Sequence, residues 1–150
     1  MTQNVRLERP WGNGRIVYER NATANDSDKS FTVPTGKIWE LRAIFNSFST
    51  TATVGNRFIN VSITDGTNAI LPTANVPAQA ASVSNVVTMW AYGSSGPLTS
   101  TSVSSVAHIV SLGVTPLLPE GYVVRVFDSA AIDPAADDLT VVLYYIEYDA

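Results

Sequence analysis

The sequence predicts an all-β protein, built as a two-sheet antiparallel β-sandwich of about eight strands. Short runs rich in β-branched and aromatic residues recur along the chain, many of these runs alternate between apolar and polar residues, and glycines and prolines separate them. Helical periodicity is absent from all but one segment. A chain of 150 residues has the size of one domain, which buries about 70% of the surface that its unfolded form exposes.

The first thirty residues are predicted to form an N-terminal arm with a short strand and a polar loop. Residues 1–15 combine arginines with a proline and glycines, which break regular structure. A first short strand is predicted at Ile16-Val17-Tyr18, and residues 21–30 are an almost entirely polar stretch, which is typical of an exposed loop. The sandwich domain is therefore expected to span residues 31–150.

A proline–glycine turn that leads into a long strand occurs twice in this domain. Pro34 and Gly36 precede one strand, and Pro119 and Gly121 precede another. Proline presets φ for a turn, and glycine two residues later supplies the positive φ of a type II turn. The repetition predicts two tight turns at similar places in the sandwich.

Breaks rich in glycine, proline and asparagine separate the expected strands of the domain. In chain order, we expect strands at residues 31–33, 37–49, 57–64, 69–71, 82–91, 105–111, 122–128 and 139–148.

Two of these strands carry further information, and one segment is ambiguous. Ile59, Val61 and Ile63 alternate with mostly polar residues, which predicts one buried face. The last strand is apolar on both faces, so we expect it to be central or covered on both sides. Residues 83–90 carry a helical stripe of apolar residues, but their β-branched side chains favour a strand.

The chain is poor in charge, and its charge is unevenly distributed. Charged residues make up 15% of the sequence, against roughly 25% in soluble domains. A surface with little charge to desolvate tolerates contact with another protein, although polar strand faces of an ordinary all-β protein explain the composition equally well. Residues 1–60 hold eight of the nine basic residues, and residues 61–150 hold eight of the thirteen acidic ones. This asymmetry predicts one basic and one acidic end of the domain.

Several classes of protein are disfavoured by the composition. The absence of cysteine excludes disulfides and thiolate metal sites. No apolar stretch reaches the length of a membrane span, and the first residues do not resemble a secretory signal, so we expect a protein made in the cytoplasm without a membrane partner. No cluster of lysines and arginines accompanies the net charge of −4, which argues against nucleic acid.

The sequence contains no recognisable catalytic, metal or cofactor site. His108 is the single histidine and lies in a predicted strand, where it is expected to be structural rather than catalytic. An acidic loop offers carboxylates to calcium, but it lacks the glycine and the closing glutamate of an EF-hand, so a solvated turn is the simpler interpretation. Its four carboxylates are Asp128, Asp133, Asp137 and Asp138.

Aromatic residues on predicted strands suggest contact surfaces. Trp39, Trp90 and Tyr92 could form a sugar-stacking platform, although such residues lie more often in cores and interfaces. Tyrosine is favoured in interfaces because its ring buries area while its hydroxyl finds a partner. The candidates for a subunit interface are Trp90, Tyr92, Tyr144 and Tyr148.

Four segments together resemble a known class of virion protein. They are VPTGKIWELRAI from residue 33, TTATVGNR from residue 50, LPEGYVVRVFDSA from residue 118 and ADDLTV from residue 136. Over roughly residues 31–150, the chain resembles jelly-roll decoration (cement) proteins of tailed-bacteriophage capsids. The resemblance implies a non-enzymatic jelly-roll domain that forms a homotrimer, binds the major capsid protein on the outside of the virion and clamps neighbouring coat subunits.

Within this interpretation, the basic and aromatic arm is the expected contact with the coat. The candidates are Arg6, Arg9, Trp11 and Arg15, because the arm is basic and aromatic and is expected to be free of strand pairing. The alternative function is a receptor- or carbohydrate-binding module of a tail or head fibre, which would use Trp90, Tyr92 or the acidic loop. An enzyme on a jelly-roll scaffold would need several metal-binding histidines, and the chain has one.

Overall fold

A computed structural model of the chain describes residues 14–23, 25, 28–75, 78–83, 86–92, 99–104, 107–112, 116–130 and 132–150. All regular elements within these ranges are β-strands, which confirms the all-β class. Three of the predicted capsid contacts, Arg6, Arg9 and Trp11, lie outside the described residues.

The described residues form eleven strands. In chain order they are β1 (Arg15–Asn21), β2 (Lys29–Thr32), β3 (Lys37–Ser49), β4 (Ile59–Thr64), β5 (Ala69–Asn75), β6 (Val86–Tyr92), β7 (Thr99–Ser104), β8 (Ala107–Leu112), β9 (Leu117–Leu118), β10 (Val123–Asp128) and β11 (Asp138–Asp149).

Eight of these strands build an antiparallel sandwich of two four-stranded layers. One layer has the order β1-β11-β3-β6 and the other the order β2-β10-β4-β5, with antiparallel pairing throughout. Along the chain, each of these eight strands lies in the opposite layer to the one before it, except at the β4–β5 hairpin. This double Greek-key order is that of a jelly roll. The predicted two-sheet fold is confirmed.

Three further strands extend the first layer into a larger sheet of seven strands. β8 runs parallel to β6, β7 pairs antiparallel with β8, and the two-residue β9 pairs with the start of β3. The segment with the helical stripe is a strand, β6, as predicted. The sequence predicted one strand between residues 93 and 121, whereas the structure has β7, β8 and β9 there.

The core lies between the two sheets and consists of the apolar faces of their long strands. Ile59, Val61 and Ile63 of β4 are all at most 4% exposed, which confirms the predicted buried face. β11 is central in the larger sheet, between β1 and β3, and its inward residues Leu143 and Val141 are fully buried. Burial of each such side chain contributes about 1.5–3 kcal/mol.

The two proline–glycine turns lie side by side at one end of the sandwich. Gly36 and Gly121 have φ values of +72° and +80°, as the turn type requires. The amide of Gly121 donates to the carbonyl of Val33 at 3.0 Å, and the amide of Gly36 donates to the Glu120 carboxylate at 2.6 Å. The repeated motif therefore forms one joined pair of turns.

The N-terminal region contributes more to the sandwich than the sequence predicted. β1 is seven residues long, begins at Arg15 and pairs with β11 along its whole length. Lys29, from the predicted exposed loop, is 1% exposed and starts β2. Its ammonium donates to the Thr23 carbonyl and to two oxygens of Asn25, because a buried charge must keep hydrogen-bond partners.

Candidate interaction surface

An apolar patch lies on the outer face of the larger sheet, away from the core. The strand register places Ile16 opposite Ile146, Tyr18 opposite Tyr144, and Val142 opposite Phe45. Three of these side chains are exposed: Tyr18 by 71%, Ile16 by 57% and Phe45 by 39%. We call this set the outer-face patch: Ile16, Tyr18, Phe45, Val142, Tyr144 and Ile146.

The patch is organised around one aromatic pair. The rings of Tyr18 and Tyr144 lie on neighbouring strands, with centroids 5.0 Å apart and planes inclined by 30°. Direct cross-strand aromatic pairs of this kind stabilise a sheet by about 0.2–1 kcal/mol. Since Tyr144 is half-buried and Tyr18 largely exposed, the pair presents aromatic surface to the solvent. Of the predicted interface residues whose side chains are described, Tyr144 belongs to this surface.

Tyr148 was predicted as an interface residue, but contacts within the chain bury its side chain on the outer face of the larger sheet. Its side chain is 2% exposed, and its hydroxyl donates to the Glu40 carboxylate at 2.6 Å. Gly14 makes room for the ring: a Cβ at this position would lie 2.5 Å from Cε1 of Tyr148 and 2.3 Å from Cγ2 of Ile146. Tyr148 is therefore occupied by intramolecular contacts at the corner of the patch.

Arg15 lies at the start of β1, where it is tied to the end of β11. Its guanidinium donates to the Glu147 carboxylate at 2.9 Å while 74% of the side chain stays exposed. Trp39 donates to the other oxygen of Glu147 through its indole N–H, and Lys37 pairs with Asp149. The idea that the arm is free of strand pairing is thus wrong for Arg15, although its exposure leaves it available for a contact.

The two other predicted interface residues, Trp90 and Tyr92, and the single histidine, His108, lie in the part of the larger sheet for which only the backbone is described. Trp90 and Tyr92 lie on β6, where Trp90 is opposite Ile44 of β3 and Tyr92 is opposite Leu112 of β8. His108 lies on β8, in parallel register with Thr88. For Trp90, Tyr92 and His108 the structure describes the backbone and its strand pairing, but not the side chains.

Several basic residues of the first half of the chain lie beside acidic residues of the second half. The topology places early strands beside late ones, so basic residues of the first half meet acidic residues of the second. Three pairs of this kind are Arg15–Glu147, Lys37–Asp149 and Arg57–Asp137. These three basic residues are therefore neutralised locally within the domain.

The acidic loop is an internal clamp rather than a solvated turn. Asp137 is fully buried and accepts from the Arg57 guanidinium at 2.7 Å. Arg57 in turn donates to the carbonyls of Thr53 and Gly55, which fixes the loop that follows β3. Asp133 accepts from the hydroxyls of Thr51 and Thr53, and these hydrogen bonds hold the pKa of its carboxyl below the usual value.

This clamp joins two of the four segments on which the resemblance depends, those beginning at residues 50 and 136. The sequence analysis missed Arg57 because nothing in its neighbourhood signals burial of a charge. Asp128 is also used within the domain, since its carboxylate accepts from the amides of Phe58 and Ala130. Within the described ranges, no group of three or more potential ligand side chains is placed to hold a metal ion. No helix among the described residues could cross a membrane.

Comparison with known proteins gives no family for this chain. No protein-family model and no curated protein matches the sequence. One similar solved structure is that of the infectious bursal disease virus Gx strain, with 11% sequence identity and a TM-score of 0.21. The match covers 90% of this chain and 42% of that one. A likeness this weak supports no functional argument, so the jelly-roll assignment rests on strand order.

Proposed function

We propose that the protein is a non-enzymatic structural component of a virion, which binds the outer surface of a viral capsid and stabilises contacts between coat subunits. The observation that carries this proposal is the outer-face patch. An apolar surface on a rigid sheet, in a chain with few charges to desolvate, is suited to burial against another protein.

In this proposal, the patch is the surface through which subunits associate. A homotrimer closes around a threefold axis by a heterologous contact, so the patch of one subunit meets a different surface of the next. Tyr18 and Tyr144 are the proposed anchors, because rigid aromatic side chains bury large area at low entropic cost.

The proposed contact with the major capsid protein is made by Arg6, Arg9, Trp11 and Arg15. A protein that binds the assembled coat, and not its separated subunits, stabilises the assembled state by mass action. A trimer presents three such contacts at once, and linkage raises the overall avidity by about 10²–10⁴-fold over a single contact. Weak individual contacts are then sufficient for stable attachment.

Attachment to capsids tests this proposal. Expanded heads prepared without the protein are mixed with wild type or with a variant carrying alanine at all four arm positions, and co-sedimenting protein is measured. We expect the quadruple variant to lose attachment while its unfolding midpoint stays unchanged. The matched control is Arg42→Ala/Arg125→Ala, which removes two arginines elsewhere on the surface and should leave attachment intact. Attachment of the quadruple variant at wild-type level would contradict the arm contact.

The Tyr18–Tyr144 pair also favours a second candidate function, carbohydrate recognition by a virion fibre module. Exposed aromatic rings on a sheet face can stack on sugar rings, and this platform replaces the earlier one at Trp90 and Tyr92 as the better-defined candidate. A glycan array probed with the isolated protein separates the two functions. Binding that Tyr18→Ser abolishes would favour the fibre module, whereas absence of glycan binding together with capsid attachment would favour decoration.

A further inference from the structure

We propose that Tyr18 and Tyr144 form a site of oxidative cross-linking, at which a one-electron oxidant, generated from hydrogen peroxide by a peroxidase, joins the two rings through a carbon–carbon bond. The product is a dityrosine that ties β1 to β11 within one subunit. The inference concerns the chemistry of this pair of side chains and does not rest on the proposed function.

The first argument is the contact between the two rings. Tyr18 and Tyr144 are directly opposite each other in the antiparallel β1–β11 pair, and their ring centroids are 5.0 Å apart. Aromatic rings with centroids about 4.5–7 Å apart are in contact, and the planes of this pair are inclined by only 30°. The backbone register holds both side chains in place, so rotation about their χ angles is enough to bring an ε carbon of one ring to the other.

The second argument is access from solvent. Tyr18 is 71% exposed and Tyr144 is half-buried on the same outer face, so an oxidant in solution reaches both phenols. The neighbouring Tyr145 is 3% exposed, and its ring is stacked on Trp39 with centroids 4.0 Å apart. Its hydroxyl donates to the Glu19 carboxylate at 3.3 Å. Oxidation from solvent therefore favours the outer pair over its buried neighbour.

The cross-linking reaction is balanced by the oxidant. Each phenol gives up one electron and its hydroxyl proton and becomes a tyrosyl radical. The radicals couple through ring carbons next to the carbons that bear oxygen, and the hydrogens on the coupled carbons then move to the oxygens, which restores both phenols. The pair has lost two electrons and two protons, and one molecule of hydrogen peroxide takes them up to form two molecules of water. Because the rings are already in contact, the coupling step does not wait for two subunits to meet.

The consequence is a covalent staple in a chain that has no cysteine for a disulfide. The new bond closes a loop that runs from residue 18 to residue 144. In the chain-entropy account, a cross-link stabilises the folded state by constraining the unfolded chain, and the effect grows with the length of the loop. Among the described residues, β1 is an edge strand of the larger sheet, so the bond also fastens an edge of the sandwich.

Oxidation of the dilute protein tests the proposal directly. The purified protein is treated with hydrogen peroxide and a peroxidase, and the products are analysed by mass spectrometry under denaturing conditions. We expect a single-chain product that is two hydrogens lighter than the untreated chain and has dityrosine fluorescence. Digestion should give one linked pair of peptides, which contain Tyr18 and Tyr144. A covalent dimer as the main product, a link between other tyrosines, or the absence of dityrosine would overturn the proposal.

Conservative variants separate ring contact from the general reactivity of tyrosine. Tyr18→Phe and Tyr144→Phe each keep the aromatic ring and remove one phenol, and each should abolish the single-chain dityrosine. The matched control is Tyr122→Phe, which removes the phenol of a partly buried tyrosine packed against the core and should leave the yield unchanged. A wild-type yield from Tyr144→Phe would contradict the assignment.

Stability gives an independent readout of the staple. The cross-linked protein should unfold at a higher urea concentration than untreated protein, with a smaller m-value, because the linked unfolded chain exposes less surface. Tyr144→Phe treated in the same way should unfold like its untreated form. A cross-linked protein with the urea midpoint of untreated wild type would overturn the stapling role.

Discussion

Arg57 and Asp137 form a fully buried ion pair that fixes two loops at one end of the sandwich. Removal of one partner leaves the other charge buried without compensation, which costs about 3–5 kcal/mol. We therefore expect Asp137→Ala to lower the free energy of unfolding by that amount in urea titrations. The control is Asp28→Ala, which breaks the exposed pair with Arg125 and should cost less than about 1 kcal/mol. Equal losses in both variants would contradict the clamp.

Asp133 reports on the same clamp through its titration. Its folded pKa is lowered by hydrogen bonds from Thr51 and Thr53, so its contribution to stability is complete above the unfolded pKa of about 3.9. This contribution is lost as the pH falls through the folded pKa. Thr53→Val should raise the pKa of Asp133 measured by NMR and reduce the acid-dependent loss of stability. The control is the carboxyl of Asp65, whose pKa is lowered chiefly by hydrogen bonds from the amides of Asn68 and Thr67 and should be the same in the variant. An unchanged pKa of Asp133 in Thr53→Val would contradict the role of this hydrogen bond.

At the scale of elements, the junction before β1 depends on a missing side chain. Gly14→Ala would force its Cβ into Tyr148 and Ile146, displacing the ring that hydrogen-bonds Glu40. Overpacking of this kind costs about 1–3 kcal/mol, and we expect a lower urea midpoint. A double-mutant cycle with Tyr148→Ala measures the part of the clash that is due to the ring: in the Tyr148→Ala background, Gly14→Ala should cost less than in wild type, with a remaining cost from the contact with Ile146. Additive effects would show that the contact does not matter.

The strands show which parts of the fold the sequence can predict. β3 was predicted with its observed bounds, and β10 and β11 within one residue at each end, because long alternating or apolar runs follow strong turn signals. β7 and β9 were missed: the first is a serine- and threonine-rich run with little apolar alternation, and the second has two residues. β1 was predicted too short, because its exposed, charged residues lack the pattern of a buried strand.

The candidate site was predictable only in part, for a related reason. Tyr144 was identified from its own strand, since alternation marks which residues share a face. Its partner Tyr18 lies 126 positions earlier in the sequence, and only the β1–β11 register brings the two rings together. Likewise, the burial of Tyr148 could not be predicted, because its ring packs against Gly14, which directly precedes the distant strand β1. Contacts between distant strands leave no periodic signal in one sequence.

At the scale of the whole molecule, the jelly-roll order brings oppositely charged residues together and creates the outer-face patch. It places parts of the basic first half beside parts of the acidic second half, so that ion pairs such as Arg15–Glu147 and Lys37–Asp149 form within the domain. The same order makes β11 central, with one face in the core and the other in the patch. The outer-face patch is the surface that we propose for association.

Sedimentation equilibrium of the purified protein tests most directly whether the outer-face patch is the association surface. We predict a concentration-dependent mass that approaches about three times the 16.1 kDa chain mass. Tyr18→Ser/Tyr144→Ser should remain monomeric, whereas Val54→Ser, at a position 91% exposed but outside the patch, should associate like wild type. A monomer at every concentration, or a trimer that the double variant leaves undiminished, would contradict this account.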